Sequence, residues 1–418
     1  MQIQSYDVSS AHLYSELDKE VYLKIPEGYE GHYNPGDVLP LLKGLYGLKQ
    51  SGKLWYEELK STLTSLNFVQ SDFDPGIYCK RVGSKCIYLA VYVDDILASS
   101  NSSELFADFE RDLKNSYKIT CKGPLTEILN IKIDYELGKK LALSQNRYLT
   151  EKGELFRVDD AKVANIPLPM GFKIITDDIR DDVPYLQAVG AVGYTAKTCR
   201  PDVAYAFSYL ARHSKNVSNA AWTGINHTLN YLYNSSSARL IYDCQDKDFN
   251  LIGYSDASFA NAEDDHSTTG FAIYLGTHLI QWKSNKQSVP SSSTAEAEIH
   301  ACIDCFKDLL YIHGLIKELG FPIHDTITLH CDNKTGIAVM SDEMIKNKTR
   351  HLSSKIAFIR HYVKQRILNL KFVATENNIA DILTKALGFN KFEKFLPLLG
   401  LEGVWGKPSH GHGVGEKD

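Results

Sequence analysis

Hydrophobic residues cluster densely along Ile87-Tyr-Leu-Ala-Val-Tyr-Val-Asp-Asp-Ile-Leu-Ala98, and one pair of carboxylates, Asp94 and Asp95, interrupts them. Strand formers on both sides (Ile87, Tyr88, Val91, Tyr92, Val93, Ile96 and Leu97) predict two short strands with the Asp pair at the hairpin tip. Asp-Asp is also an ordinary turn dipeptide, so the pair alone does not decide its own role. Ionised carboxylates flanked by buried strands are costly unless they bind a cation or form a pair. Two side by side repel, and oxygen ligands suit a divalent ion such as magnesium.

Upstream, Ile3 leads along a strand to Asp7, and Asp7-Val-Ser-Ser-Ala-His-Leu-Tyr-Ser-Glu-Leu reads as strand into helix. Gly44, Gly47 and Gly52 mark close backbone approaches before a helix over 53–66. Downstream, the pattern predicts a polar helix over 103–115, then a hairpin of Ile131-Lys-Ile-Asp-Tyr135 with Leu141-Ala-Leu across Gly138-Lys139. An acidic solvated loop over 177–184 and helical spacings over 189–210 follow. From Leu251 the pattern resets. Leu251-Ile-Gly-Tyr-Ser-Asp-Ala-Ser258 is a strand carrying a carboxylate, and Phe271-Ala-Ile-Tyr-Leu275 and Leu279-Ile-Gln-Trp282 continue as an antiparallel meander. A Ser/Thr-rich cap at Ser291-Ser-Ser-Thr opens a long helix ending near Gly320. Ile327-Thr-Leu-His-Cys-Asp332 is another strand ending in Asp, and Asn378-Ile-Ala-Asp-Ile-Leu-Thr-Lys385 starts a final helix carrying Asp381.

The 418 residues suffice for two to three domains, and 44% hydrophobic with 23% charged residues is ordinary for a soluble globular chain. A net charge of -5 excludes a uniformly basic coat but not a local one. The eight cysteines are scattered, which reads as reduced thiols, and Cys302-x-x-Cys305 reads as core packing rather than a metal site. The polar N-terminus is not a signal peptide, and no apolar run reaches membrane-spanning length. An intracellular, soluble protein is expected.

Two-metal phosphoryl transfer needs acidic ligands to activate a 3′-oxygen and stabilise departing pyrophosphate. Asp7 at a strand end with the Asp94-Asp95 hairpin would form such a site. In this order and at this spacing, Asp7-Val-Ser-Ser-Ala, Leu45-Tyr-Gly-Leu-Lys-Gln50 with Trp55-Tyr56, and Tyr92-Val-Asp-Asp95 resemble the reverse transcriptase of copia-type retrotransposons. Leu141-Ala-Leu-Ser-Gln-Asn-Arg-Tyr148, Pro167-Leu-Pro-Met170, Val189-Gly-Ala-Val-Gly-Tyr194 and Cys199-Arg-Pro-Asp-Val-Ala-Tyr205 extend the likeness over nearly the whole chain. The resemblance implies that Asp7, Asp94 and Asp95 are polymerase metal carboxylates, with His12, Gln50 and Tyr92 near the nucleotide and template. His12 stands where such enzymes carry a Phe or Tyr against the ribose 2′-hydroxyl, and Gln50-Ser-Gly-Lys-Leu-Trp55 departs from the family's Gln-Ala-Pro-Arg-Ala-Trp. The fingers that grip the triphosphate precede the first Asp in the family, so an N-terminally truncated chain with impaired polymerisation is expected.

Asp256, Glu298, Asp332 and Asp381, in the contexts Tyr254-Ser-Asp-Ala, Ala295-Glu-Ala-Glu, Cys331-Asp-Asn and Ala380-Asp-Ile-Leu-Thr-Lys, resemble the four acids of ribonuclease H. There they hold two magnesium ions that direct a water at a phosphodiester. Glu296 is the rival to Glu298, whose Ala-Glu-hydrophobe-x-Ala context is closer to the family helix. Many ribonucleases H carry a His before the last Asp. Thr375-Glu-Asn-Asn378 has none, and His351 is a poor substitute. Lys346, Lys348, Arg350, Lys355, Arg360, Lys364, Arg366 and Lys371 form a basic run without an acid. It reads either as a solvated helix face or as a nucleic-acid backbone track, the latter through Lys346, Lys348, Arg350, Lys355 and Arg360.

The expected architecture is α+β / α/β and multidomain. A reverse transcriptase palm of antiparallel sheet and helices covers 1–120, thumb and connection 121–250, a ribonuclease H-like mixed-sheet domain 251–400, and a disordered tail 401–418. The resemblance implies Mg2+, with Mn2+ as alternative, and RNA, DNA and RNA–DNA hybrid as partners, with other retrotransposon polyprotein products but no membrane. It places the protein in the cytoplasm, in a virus-like particle, with the nucleus as alternative. The rival reading is a non-catalytic transposon relic that at most binds nucleic acid.

Overall fold

Backbone pairing turns the apolar runs of residues 1–125 into β1 (Gln2–Val8), β2 (Tyr22–Lys24), β3 (Val38–Pro40), β4 (Val69–Gln70), β5 (Ile77–Val82), β6 (Lys85–Tyr92), β7 (Asp95–Ser100) and β8 (Ile119–Pro124). The structure is a computed structural model describing residues 1–158, 163–174, 178–180, 182–260, 265–341 and 352–404. Lys346, Lys348, Arg350 and His351, parts of the acidic loop and the tail beyond 404 lie outside the described residues. The chain divides into two compact units, Met1–Leu125 and Thr126–Asp418.

In the first unit six strands form an antiparallel sheet ordered β4-β5-β6-β7-β1-β8, and β2 and β3 pair apart. Helix α1 (Ser51–Ser65) buries Trp55, Leu59 and Leu63, four residues apart and therefore on one stripe. Helix α2 (Ser103–Ser116) is capped by the Ser102 hydroxyl, which accepts from the Leu105 N–H, and buries Leu105, Phe106, Phe109 and Leu113. Both stripes join Tyr6, Ile87, Leu89, Ile96 and Ala98 in one core. The expected hairpin is β6–β7: Tyr92 pairs with Asp95, leaving Val93 and Asp94 as its tip.

The second unit contains β9 (Glu127–Ile128), β10 (Ile131–Glu136), β11 (Lys140–Ser144), helices α3 (Asn146–Leu155), α4 (Tyr185–Thr198), α5 (Ala204–Ala211) and α6 (Asn219–Asn234), then β12 (Arg239–Asp243), β13 (Leu251–Ser258), β14 (Thr268–Leu275), β15 (His278–Lys286), β16 (Ile327–Cys331), β17 (Leu368–Phe372) and β18 (Leu401–Glu402). One sheet is antiparallel in the order β18-β12-β11-β10-β9. The other runs β15-β14-β13-β16-β17, antiparallel from β13 to β15 and parallel from β13 to β17. This is the mixed sheet expected from the sequence for this part of the chain.

Both faces of that sheet are covered, as parallel pairing requires. Leu251, Phe271, Ile273 and Leu329 pack with α7 (Thr294–Glu318), α8 (Lys334–Ser341) and α9 (Ser353–Lys364), where Cys302 and Cys305 are fully buried, as expected of core thiols. The opposite face, with Ile252, Tyr254, Ala272 and Tyr274, belongs to a core built from Leu149, Val192, Leu210, Ile225, Leu383 and Phe395 among others. The thumb and connection expected over 121–250 thus share one core with 251–400, and the compact-unit boundary falls at Leu125, where β8 has ended. Alternating strand residues bury on opposite sides, so a cut at 250 would uncover Ala272 and Tyr274.

A second expectation is corrected at residues 378–385. Asp381 lies on a short 3-10 helix, Ile379–Leu383, and the final α-helix, α10 (Phe389–Phe395), begins only after Gly388. Tertiary bonds pin the short turn at both ends. The Asn378 side-chain amide donates to the Ser255 carbonyl at 2.9 Å, and the Thr384 hydroxyl donates to Asp256.

Candidate active sites

In the first unit the sheet order sets β1 beside β7, so Asp7 and Asp95 face each other directly. Like charges across a strand pair are destabilising. Lys122 lies between them, its Nζ 3.1 Å from Asp7 Oδ1 and 3.1 Å from Asp95 Oδ1. It gets there through a register shift: Ser5 pairs with Gly123 but Tyr6 with Cys121, leaving Lys122 as the extra residue of a bulge. Partial burial opposes its charge, but hydrogen bonds with Asp7 and Asp95 outweigh that and hold its pKa above the ordinary value. Asp94 sits on the tip, its carbonyl accepting from the Val8 N–H at 2.9 Å. The tip is fixed from outside as well, since Trp55 Nε1 donates to the Val93 carbonyl at 2.8 Å.

His12 is buried on the 3-10 helix Ala11–Tyr14 and meets the Tyr46 ring edge-on, centroids 4.5 Å apart. It borders a cavity of about 470 Å3 shared with Lys49, Trp55, Tyr56 and Val93. Tyr46 is pushed above its ordinary pKa by burial, then by the charges of Asp94 and Asp7. Gln50 is half-buried at the start of α1, and Tyr92 is exposed at the end of β6. Neither Lys122 nor Tyr46 stands out in the sequence as a neighbour of the acids.

In the second unit, Asp256 comes from β13 and Asp332 follows β16, whose Cys331 pairs in parallel with Ser255. Glu298 enters from α7 and Asp381 from the 3-10 turn. Asp256, Glu298 and Asp381 are almost fully buried. Oxygens of Glu298 and Asp332 and the Cys331 sulfur lie within 4.8 Å of one another. Glu298 is driven far above the ordinary carboxylate pKa by burial, then by Asp256, Cys331 and Asp332. Asp256 is raised in the same sense, mainly by burial, with Lys385 and the Thr384 hydroxyl opposing and Asp381 and Asp332 adding to the effect. The Thr375 hydroxyl donates to Asp332 Oδ2 at 2.8 Å. Asp381 is paired with both Lys385 and Lys391.

The rival Glu296 is occupied otherwise. Its N–H is capped by the Ser293 hydroxyl, and its Oε2 accepts from the Ser292 N–H at 2.9 Å, a helix-start exchange two residues from Glu298. The basic run divides. Lys355 is exposed, its Nζ 3.2 Å from His300 Nδ1. Arg360 contradicts its expected place on a backbone track: it is 8% exposed, and its Nε and Nη2 donate to the Val339 carbonyl at 3.2 and 2.6 Å. Four residues after Ile356, it falls on the buried stripe of α9. Lys346, Lys348 and Arg350 lie outside the described residues.

The family model described as reverse transcriptase (RNA-dependent DNA polymerase) matches residues 1–170. The Pol polyprotein of transposon TNT 1-94 from Nicotiana tabacum is 31% identical over 413 residues, covering 96% of this chain and 31% of that protein. The transposon Ty5-1 protein of Saccharomyces cerevisiae is 31% identical over 299 residues, covering 70% of this chain and 96% of its own length. The chain belongs to the copia-type retrotransposon Pol polyproteins, and it spans about a third of the first of these relatives. Among solved structures, LC11-RNase H1 matches 35% of this chain over 99% of its own, with 22% identity and a TM-score of 0.26. Among the described residues no helix is long and apolar enough to cross a membrane.

Proposed function

We propose that the acid centre of the second unit cleaves the RNA strand of RNA–DNA hybrids, and that Asp7, Asp94 and Asp95 add nucleotides to a primer on RNA or DNA templates, both in retrotransposition. One observation carries the reading. Asp256, Glu298, Asp332 and Asp381 come together from far apart in sequence: Asp256, Glu298 and Asp381 are almost fully buried, and burial disfavours ionisation of Asp256 and Glu298. Such a group is a poor structural device, because buried like charges destabilise the fold. Its all-oxygen carboxylate set suits a hard divalent cation, and the palm triad offers the same chemistry.

Magnesium, or manganese, held by Asp256, Glu298, Asp332 and Asp381, or by Asp7, Asp94 and Asp95, would supply an activated oxygen nucleophile and neutralise charge at the phosphorus. The chain's own residues prepare this. Thr384 and Thr375 fix Asp256 and Asp332 by hydrogen bonds, and burial keeps competing water from Glu298 and Asp381. Lys355, with Lys346, Lys348 and Arg350, follows the hybrid's phosphates. At the palm, Gln50 and Tyr92 flank the nucleotide and template. His12 in place of a larger gate, together with Lys122 braced between two of the three carboxylates, makes polymerisation the weaker activity. The test is cleavage of a labelled hybrid in Mg2+ by the chain and by Asp332→Asn.

A further inference from the structure

Asp381 is 1% exposed, yet two amines grip it: Lys385 Nζ at Oδ1 and Lys391 Nζ at Oδ2. Lys385 follows the 3-10 turn directly. Lys391 comes from α10, lies over the Phe395 ring 5.6 Å from its centroid, and also donates to the Thr375 carbonyl at 3.4 Å. The charge of Lys385 also acts on Asp256 and Asp332. Both lysine side chains stay part-exposed, at 41% and 33%, while the carboxylate they hold does not. Elsewhere in the centre, Glu298, Cys331 and Asp332 draw together without Asp381.

Acids gathered in one largely buried site repel unless a cation is present. A buried carboxylate left unpaired is strongly destabilising. Lysine suits a provisional partner: its compact ammonium rides a flexible four-carbon stem that can withdraw into solvent, unlike a planar guanidinium locked by paired hydrogen bonds. We propose that Lys385 and Lys391 are resident counter-cations of the acid centre, holding Asp381 until a divalent cation takes their place and thereby setting the centre's metal affinity. The proposal rests on the metal-dependent reading above. Metal binding is then an exchange, weaker than the acids alone would give by the worth of the displaced ion pairs.

The full chain titrated with MgCl2 alone, by calorimetry and in parallel by thermal unfolding, tests this. Lys385→Met and Lys391→Met are expected to bind Mg2+ about tenfold more tightly, the equivalent of one charge-assisted hydrogen bond no longer displaced. Without metal they should melt below the parent, and Mg2+ should raise their Tm further than it raises the parent's. Lys385→Gln and Lys391→Gln, which keep a donor for Asp381 without the charge, guard against misfolding and should tighten binding in the same direction. Unchanged or weaker Mg2+ binding in folded variants overturns the proposal. If the parent and Asp332→Asn bind Mg2+ alike, or neither binds, the metal-centre reading has failed and the counter-cation role falls with it.

Discussion

Asp256 faces Gly270 across the β13–β14 pair, and the absent side chain of Gly270 is what lets the Asp381 turn rest on the sheet beside it. A Cβ there would come within 2.6 Å of Thr384 Cγ2, 2.8 Å of Leu383 Cβ and 3.0 Å of the Ala380 carbonyl oxygen. Gly270→Ala is therefore expected to push the turn away, costing about 1–3 kcal/mol in denaturant unfolding, a typical overpacking penalty. Hybrid cleavage should fall at least about tenfold, as small misplacements of reacting groups do. Gly190→Ala, where nothing lies within 4 Å, is the matched control and should be neutral or slightly stabilising.

Glu298 and Asp256 hold their protons more tightly in the folded chain than an ordinary carboxylate does, chiefly through burial. The folded state thus binds more protons than the unfolded one above the ordinary carboxylate range, and metal-free stability falls as pH rises through that range and beyond. Glu298→Gln removes the effect. At pH 8 without metal its Tm should exceed the parent's by roughly 1–2 °C, about 1 kcal/mol for a unit of this size, while hybrid cleavage is lost. Equal melting of the two proteins across pH 5–9 would show that the buried acid is not a burden on the fold.

Arg200 and Asp202 form a fully buried pair: Nε and Nη2 of Arg200 donate to Asp202 at 3.0 and 2.7 Å, Nη1 donates to the Ser235 carbonyl at 3.0 Å, and Tyr231 donates to Asp202. Removing one partner strands the other charge in the core. Asp202→Asn should lower stability by about 3–5 kcal/mol, far more than a surface ion pair such as Lys317–Asp325 would. Chemical denaturation of Asp202→Asn beside Asp325→Asn measures the contrast.

Val93 holds the tip of the β6–β7 hairpin at φ 55°, a left-handed conformation that β-branched residues resist. Val93→Asn is expected to relieve roughly 1 kcal/mol of strain, raising the melting temperature of the first unit. Trp55→Phe, which keeps the ring but loses the bond to the Val93 carbonyl, should lower stability by about 1 kcal/mol and loosen Asp94. Opposite shifts in thermal unfolding check both.

Much of this was written locally. Strand formers around Asp94 and Asp95, the Ser-capped opening of α7 and the alternation of β13 to β15 each declare their element within a few residues. The missing parts depend on long-range placement. Lys122 reaches Asp7 only because a bulge displaces it in a strand that returns 115 positions later. Lys391 reaches Asp381 only because the expected helix is cut to a 3-10 turn by bonds to Ser255 and Asp256. The unit boundary at Leu125 rather than 250 follows from a sheet buried on both faces, which alternation within one strand cannot distinguish from a solvated face. Arg360 was legible, since it repeats the Ile356 position one helical turn on, yet its charge obscured the spacing.

The most direct measurement is cleavage of a labelled RNA–DNA hybrid in Mg2+ by the purified chain, beside Asp332→Asn and Asp381→Asn, with primer extension and an Asp94→Asn control run in parallel. The expected result is RNA-strand cleavage that both second-unit variants abolish, with extension weak by comparison and lost on Asp94→Asn. A folded chain that leaves the hybrid intact, or that cleaves it equally well without Asp332 and Asp381, would contradict the assignment of these four acids to catalysis.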